Sequence, residues 1–208
     1  MSNLITAIES DPTDPNNRRV YVNEACIATL HISNIETLGI ELDQQWTDEL
    51  EFAIETMQAN EKARSMALQL VSRRAWSKKE LANRLIKRGC QSSIAKQITE
   101  ELAEDGWLDD LAYAGACIRE WLRVEPASRR WLTHKLYDKG ISEPTASESI
   151  AEELGEGSEQ DAATELAVIR IAKTSSLDQE TARRRVIAAL QRRGFSSDVA
   201  SEAYRRAT

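Results

Sequence analysis

The chain has 208 residues, 41% hydrophobic and 29% charged, an ordinary balance for a soluble protein built as one large domain, two small ones or an array of repeats. Only 8 Gly and 4 Pro interrupt it, which favours helix; no apolar run approaches the ~20 residues of a bilayer span, and the opening stretch lacks the basic and apolar blocks of a signal peptide, so a cytoplasmic location is expected. The net charge of -7 conceals a split: residues 1–61 carry 12 acidic and 2 basic side chains, residues 62–208 carry 22 acidic and 25 basic, an acidic leader and a mildly basic body.

Residues 1–17, with Pro12 and Pro15, are expected to form a flexible tail. The segment 18–61 follows, where Val20, Tyr21 and Val22 and then Ala25 to Ile32, rich in β-branched and small residues and broken at Asn23-Glu24, predict a short β-hairpin. Thr47 then starts a helix, with Asp48 and Glu49 in the first turn, where the helix dipole favours negative charge.

From residue 62 onward a repeat organises the chain. Gly89, Gly140 and Gly194 lie 51 and 54 residues apart. Each is preceded at four residues by Leu85, Leu136 or Leu190, and at eight by Leu81, Leu132 or Val186. Arg88, Lys139 or Arg193 stands immediately before it. Apolar residues at helical spacing that end in a cation and a glycine describe the last turns of an amphipathic helix closed by a left-handed residue. After each glycine a serine (Ser92, Ser142, Ser196) is expected to cap a further helix. Upstream, Ala63 to Arg73, Leu111 to Trp121 and Gln160 to Lys173 carry helical spacing as well.

Three units of three helices result, at 62–109, 110–157 and 158–208. In the first, Ser77 and Glu80 form a capping box and Trp76 and Leu81 a hydrophobic staple. Units of about 50 residues bury little core alone and lean on their neighbours. The fold class expected is therefore all-α tandem repeats in an elongated curved body, preceded by the hairpin and helix.

Chemistry is sparse. Cys26, Cys90 and Cys117 lie far apart without a Cys-x-x-Cys partner, His31 and His134 form no cluster, and Asp109-Asp110 sit where N-terminal capping explains them. Neither a phosphate loop nor a nucleophile elbow is present, so an enzyme is not expected, and neither is a metal or cofactor. The cations are more informative. Lys78, Arg129 and Arg183 lie eleven residues before the three glycines, and Lys79, Arg130 and Arg184 ten before. In the first two units they directly follow Ser77 and Ser128, at the positive end of the helix dipole, and recurrence at an unfavourable place points to an anionic partner. A solvated basic face is the alternative. In the middle unit Trp121 and Trp131 stand among Arg119, Arg123, Arg129 and Arg130, the composition of a protein hot spot or a base-stacking platform, with packing between units as the competing reading.

Asp105-Gly106-Trp107-Leu108-Asp109-Asp110, running into Tyr113, Arg119 and Trp121 and followed by Leu132 to Ile141, resembles the RecX family of recombination regulators. Ser77 to Leu81, Leu85 to Gly89, Arg184 to Phe195, Tyr21 to Ala28 and Leu38-Gly39-Ile40 extend the match over about residues 18 to 208. The chain departs from the family at Glu125-Pro126-Ala127-Ser128, where members commonly carry a glycine, and many members are more basic. The resemblance implies three three-helix repeats that lodge in the groove of the RecA filament on single-stranded DNA and inhibit ATP hydrolysis, strand exchange and co-protease activity, hence the SOS response. It implies a monomer whose partners are RecA and the filament DNA, and the recurrent cations and their neighbours, Lys78, Lys79, Arg88, Arg119, Arg123, Arg129, Arg130, Trp131, Lys135, Arg183 and Arg184, are the residues expected to contact them. An independent nucleic-acid-binding helical protein is the alternative.

Overall fold

A computed structural model describes residues 3–155 and 157–208, so Met1, Ser2 and Glu156 lie outside the described residues. The chain divides into two compact units, residues 1–62 and 63–208. Among the described residues no helix is long and apolar enough to cross a membrane.

The first unit holds a three-stranded antiparallel sheet in the order β1 (Ile5–Ser10), β2 (Asn17–Val22), β3 (Ala25–His31), followed by α1 (Ile32–Leu38) and the start of α2 (Asp48–Val71). The β2–β3 hairpin turns at Asn23-Glu24 as expected, and both residues take positive φ, 49° and 69°, the backbone of the two-residue turn that suits strand twist. The flexible tail expected over residues 1–17 is corrected. Ile5, wholly buried, opens β1, which pairs with β2, and the prolines mark the turn between these strands. In that turn the Asp11 carboxylate accepts from the Thr13 hydroxyl, from the Thr13 amide at 2.6 Å and from Arg19 at 3.0 Å. These bonds hold it well below the usual carboxylate range. The core beneath the sheet is Ile5, Val20, Val22, Leu30, Ile40 and Ile54, the inward alternation of β2 set against α2.

Helix α2 is continuous through 24 residues, so the helix expected at Thr47 and the one expected from Ala63 are a single element. Its last turns bury Ala63, Ala67 and Leu70 in the second unit, which continues with α3 (Lys78–Ile86) and α4 (Ser92–Glu104). Then come α5 (Asp110–Val124), α6 (Arg129–Asp138) and α7 (Glu143–Leu154), and finally α8 (Glu159–Ala172), α9 (Gln179–Arg192) and α10 (Ser197–Ala207). The middle triple closes around Ile118, Leu132, Leu136 and Ile150, and the last around Leu166, Val186, Leu190 and Phe195. These helices declare themselves locally. Side chains of Ser77, Asp109, Ser128, Ser142, Ser158, Asp178 and Ser196 each accept from an amide of the first turn. The cap expected at Ser92 is displaced: Gln91 holds the cap position of α4 without a side-chain bond, and Ser92 is already helical. All three repeat glycines are left-handed, with φ of 93°, 80° and 86°.

Candidate partner interface and the joints between repeats

Successive triples of the second unit meet at a recurring joint. The capping serine of one middle helix receives the end of the next middle helix, so Ser77 Oγ–H donates to the Lys139 carbonyl and the Ser128 N–H donates to the Arg193 carbonyl at 3.1 Å. Both serines are buried, at 0% and 1% exposure, and each caps its own helix with its hydroxyl while satisfying a carbonyl at the end of another, through the hydroxyl at Ser77 and through the amide at Ser128. Gly140 and Gly194 sit in the contact. A Cβ on Gly140 would strike the Lys79 side chain, and one on Gly194 would strike Ser128 Oγ while lying 3.0 Å from the Trp131 backbone nitrogen.

The residues nine before Gly89 and Gly140, Glu80 and Trp131, complete the two joints with different chemistry. At the first joint Glu80 accepts from Lys139 Nζ at 3.0 Å and from the Tyr113 hydroxyl at 2.8 Å. Partial burial pushes the Glu80 carboxyl up, but these hydrogen bonds and the charges of Lys139 and Arg74 outweigh it, leaving a net shift below the usual range. Burial and the bond to Glu80 push Tyr113 well above its ordinary value, and burial also raises the neighbouring Cys117 thiol. The expected capping box is thus half present: Ser77 accepts from the Glu80 amide, while the Glu80 carboxylate serves the joint.

At the second joint Trp131 takes the place of Glu80. Arg193 stacks on its ring at 4.3 Å from the centroid, and Trp121 meets it edge to face at 5.7 Å. Glu125, from the segment that departs from the family pattern, pairs with Arg170 at 2.6 Å and lies within 4 Å of Lys173 and Arg193. Trp131 is half-buried in this packing, the competing reading of its sequence position.

The other sequence-predicted contact residues fall into two groups. Some are engaged internally: Lys78 pairs with Glu100 at 3.4 Å, Arg119 with Glu153, and Arg129 Nη2 donates to the Gly155 carbonyl at 2.9 Å. Lys79 lies over Gly140, and Lys135 Nζ stands 5.6 Å from the Trp131 ring centre. Arg88, Arg123, Arg130, Arg183 and Arg184 are exposed, with no ion-pair partner among the described residues. In the third repeat α9 begins a full turn earlier than its counterparts, so Arg183 and Arg184 lie inside the helix, away from its positive end.

Sequence reasoning missed two basic grooves. One, of about 580 Å³, lies between the end of α2 and α3 and gathers Arg73, Arg74, Arg84, Lys87 and Arg88 beside Trp76. The other, of about 490 Å³, lies between the end of α8 and α9 and gathers Arg170, Lys173, Arg184, Arg185 and Arg192. The first draws its cations from α3 and the turns on either side of it, the second from α8, α9 and the turn between them, and only comparison of positions relative to the glycines, carried beyond the two columns singled out, would have aligned them.

The third triple matches the model of the RecX third three-helix domain over residues 158–204. The chain is 32% identical over 148 residues to the regulatory protein RecX of Mycobacterium avium, an alignment that covers 68% of this chain and 82% of that one. It is 28% identical over 151 residues to the RecX of Mycobacterium tuberculosis strain H37Ra, covering 71% and 86%. A crystal structure of a regulatory protein RecX superposes with a TM-score of 0.73 over 95% of this chain and 96% of that one, at 19% identity. RecX from Lactobacillus salivarius superposes with a TM-score of 0.60 over 73% and 97%, at 17% identity. These two likenesses concern the fold.

Proposed function

Because this chain belongs to the RecX family of regulatory proteins, we propose that it regulates homologous recombination by lodging in the groove of the filament that the RecA recombinase forms on single-stranded DNA. Occupancy there lowers ATP hydrolysis, strand exchange and co-protease activity, and through the last of these it acts on the SOS response. The regulator acts as a cytoplasmic monomer, without a cofactor or reaction of its own. A ligand that binds assembled and free recombinase differently shifts the balance between them by that difference alone.

The observation that carries this reading is the recurrence of exposed cations at the same repeat positions, Lys79, Arg130 and Arg184 foremost, on a scaffold whose capping serines and glycines are committed to holding the repeats together. Arg88, Arg123, Arg129, Lys135 and Arg183 extend the contact surface.

The test is inhibition of RecA strand exchange by two charge-matched variants at one salt concentration, each checked for folding by circular dichroism. Arg129→Glu with Arg130→Glu removes favourable contacts and adds repulsion against an acidic surface, and inhibition should weaken at least tenfold. Arg205→Glu with Arg206→Glu disturbs only surface pairs with Glu202, worth ~0 to 1 kcal/mol, and should leave inhibition nearly intact. Equal loss in both would show that only bulk charge is read, and full inhibition by both would remove the interface from the start of α6.

A further inference from the structure

The two basic grooves occupy matching places in the first and third repeats. Relative to the repeat glycine, Lys87 and Arg192 both stand two residues before it, and Glu80 and Arg185 nine before. The other wall is in each case the end of the triple's first helix and the turn that follows it, with Arg73 and Arg74 in one and Arg170 and Lys173 in the other. The middle repeat breaks the series. Its corresponding positions carry Asp138 and Trp131, and Trp121 with Trp131 packs there instead.

Within the grooves the charges are poorly balanced. Of the first set, Arg73, Arg84, Lys87 and Arg88 have no carboxylate within 4 Å among the described residues; Glu80, the one acid lining the groove, is shared with Arg74 and Lys139. Of the second set, Arg184, Arg185 and Arg192 are likewise unpaired, and Glu125 is shared among Arg170, Lys173 and Arg193. Arg170 Nε is buried and has no hydrogen-bond partner. Five cations brought together with one shared carboxylate repel one another, and a guanidinium N–H buried without an acceptor is costly to maintain. A multiply charged anion with several acceptor oxygens relieves both. Clustered arginines match the fork geometry of a phosphate, and each groove has a neutral surface beside its cations: Trp76, on which Arg74 stacks at 3.4 Å from the ring centre, in the first, and Val186, Ala188 and Ala189 in the second.

We propose that these grooves are a pair of phosphate-binding sites, made by the first and third repeats and omitted from the second. The chemistry they recognise is a phosphate group beside a flat or apolar moiety, supplied by the backbone of a single nucleic-acid strand or by a free nucleoside triphosphate. Arg88 and Arg184 line these grooves and also belong to the proposed filament contact surface, but binding here needs no recombinase and is measured without it, so its failure is distinguishable from failure of the filament reading.

Two ligands and three charge-matched variants of the full chain test this. Anisotropy is followed with a fluorescein-labelled (dT)20 and with a fluorescent ATP analogue, in low salt and along a salt series, after circular dichroism has confirmed each fold. Arg84→Glu with Lys87→Glu reverses charge in the first groove, Arg185→Glu with Arg192→Glu does so in the second, and Arg205→Glu with Arg206→Glu, outside both grooves, sets the bulk-charge baseline. Each groove variant should raise the dissociation constant at least tenfold, against no more than about threefold for the baseline. With (dT)20 it should also flatten the salt dependence by about 1.4 units for the two phosphate contacts it removes. Arg84→Lys should restore most of the affinity. Selective loss with (dT)20 assigns the phosphates to a strand, and selective loss with the nucleotide assigns them to a free triphosphate. The proposal falls if neither ligand binds the wild type in low salt, or if the groove variants lose no more than the baseline.

Discussion

A single methyl group separates the roles of the repeat glycines. Gly89 and Gly194 have nearly the same left-handed φ, 93° and 86°, so alanine costs the backbone a similar ~1 kcal/mol at either place. Around Gly89 the added Cβ meets nothing within 4 Å, whereas at Gly194 it runs into Ser128 and the backbone of Trp131. Urea unfolding should therefore show Gly194→Ala losing at least ~1 kcal/mol more than Gly89→Ala, by the cost typical of overpacking. Equal losses would mean that the second joint is not a close contact. Glu80 supplies a pH test at the first joint. Its carboxyl lies below the usual range in the folded protein, so its stabilisation is present above the unfolded-chain value of about 4.3 and disappears as the pH falls through the folded value. Glu80→Gln should cost ~1 kcal/mol at pH 7, as expected for charge-assisted hydrogen bonds at a partly exposed site, and the two proteins should converge in acid. Parallel losses across the whole pH range would separate Glu80 from the acid sensitivity.

At the scale of the element, helices and strands differ in how much of their cause is local. Seven of the helices carry a serine or aspartate cap that binds within the next three residues, so their starts are written in a few adjacent positions. Strand β1 has no such signal. It exists because Ile5 fills the core under β2 and its backbone pairs with residues 18–22. Ile5→Ala should thus destabilise the first unit by ~2 to 4 kcal/mol, read as faster hydrogen exchange of the β2 amides, while amides of α5 to α10 keep their protection. Unchanged exchange in β2 would return residues 1–17 to the status of a tail. The extra turn of α9 has a comparable logic. The position matching Ser77 and Ser128 is Ala182, which lies inside the helix, and Asp178 four residues earlier supplies the cap.

For the whole molecule the division of charge is the feature that reaches furthest. The basic grooves lie in a chain whose first 61 residues carry a strong excess of acid, and at low ionic strength that field opposes any polyanion. Replacing the exposed Glu9, Glu36, Glu41 and Glu55 by Gln leaves the grooves untouched. It should tighten (dT)20 binding severalfold at low salt, with the gain vanishing near 0.5 M salt, where charges separated by more than about 5 Å are screened. A gain that persisted at high salt would point to direct contact by that unit instead.

The sequence by itself determined the repeat period, the helix stops at Gly89, Gly140 and Gly194, the caps at Ser77, Asp109, Ser128, Ser142 and Ser196, the β2–β3 turn and the family to which the chain belongs, since within each unit the signal rests on residues a few positions apart. It exposed the recurrent cations for the same reason. What the tertiary structure decided is what lies across from what. That the hydroxyl of Ser77 serves a carbonyl 62 positions away, that Trp131 packs under Arg193, that β1 is a strand, and that Arg73 and Lys87 share a groove are matters of non-local geometry. Helical periodicity specifies which face of an element is buried, but the partner of that face is chosen by packing between elements, and no spacing within one helix records it.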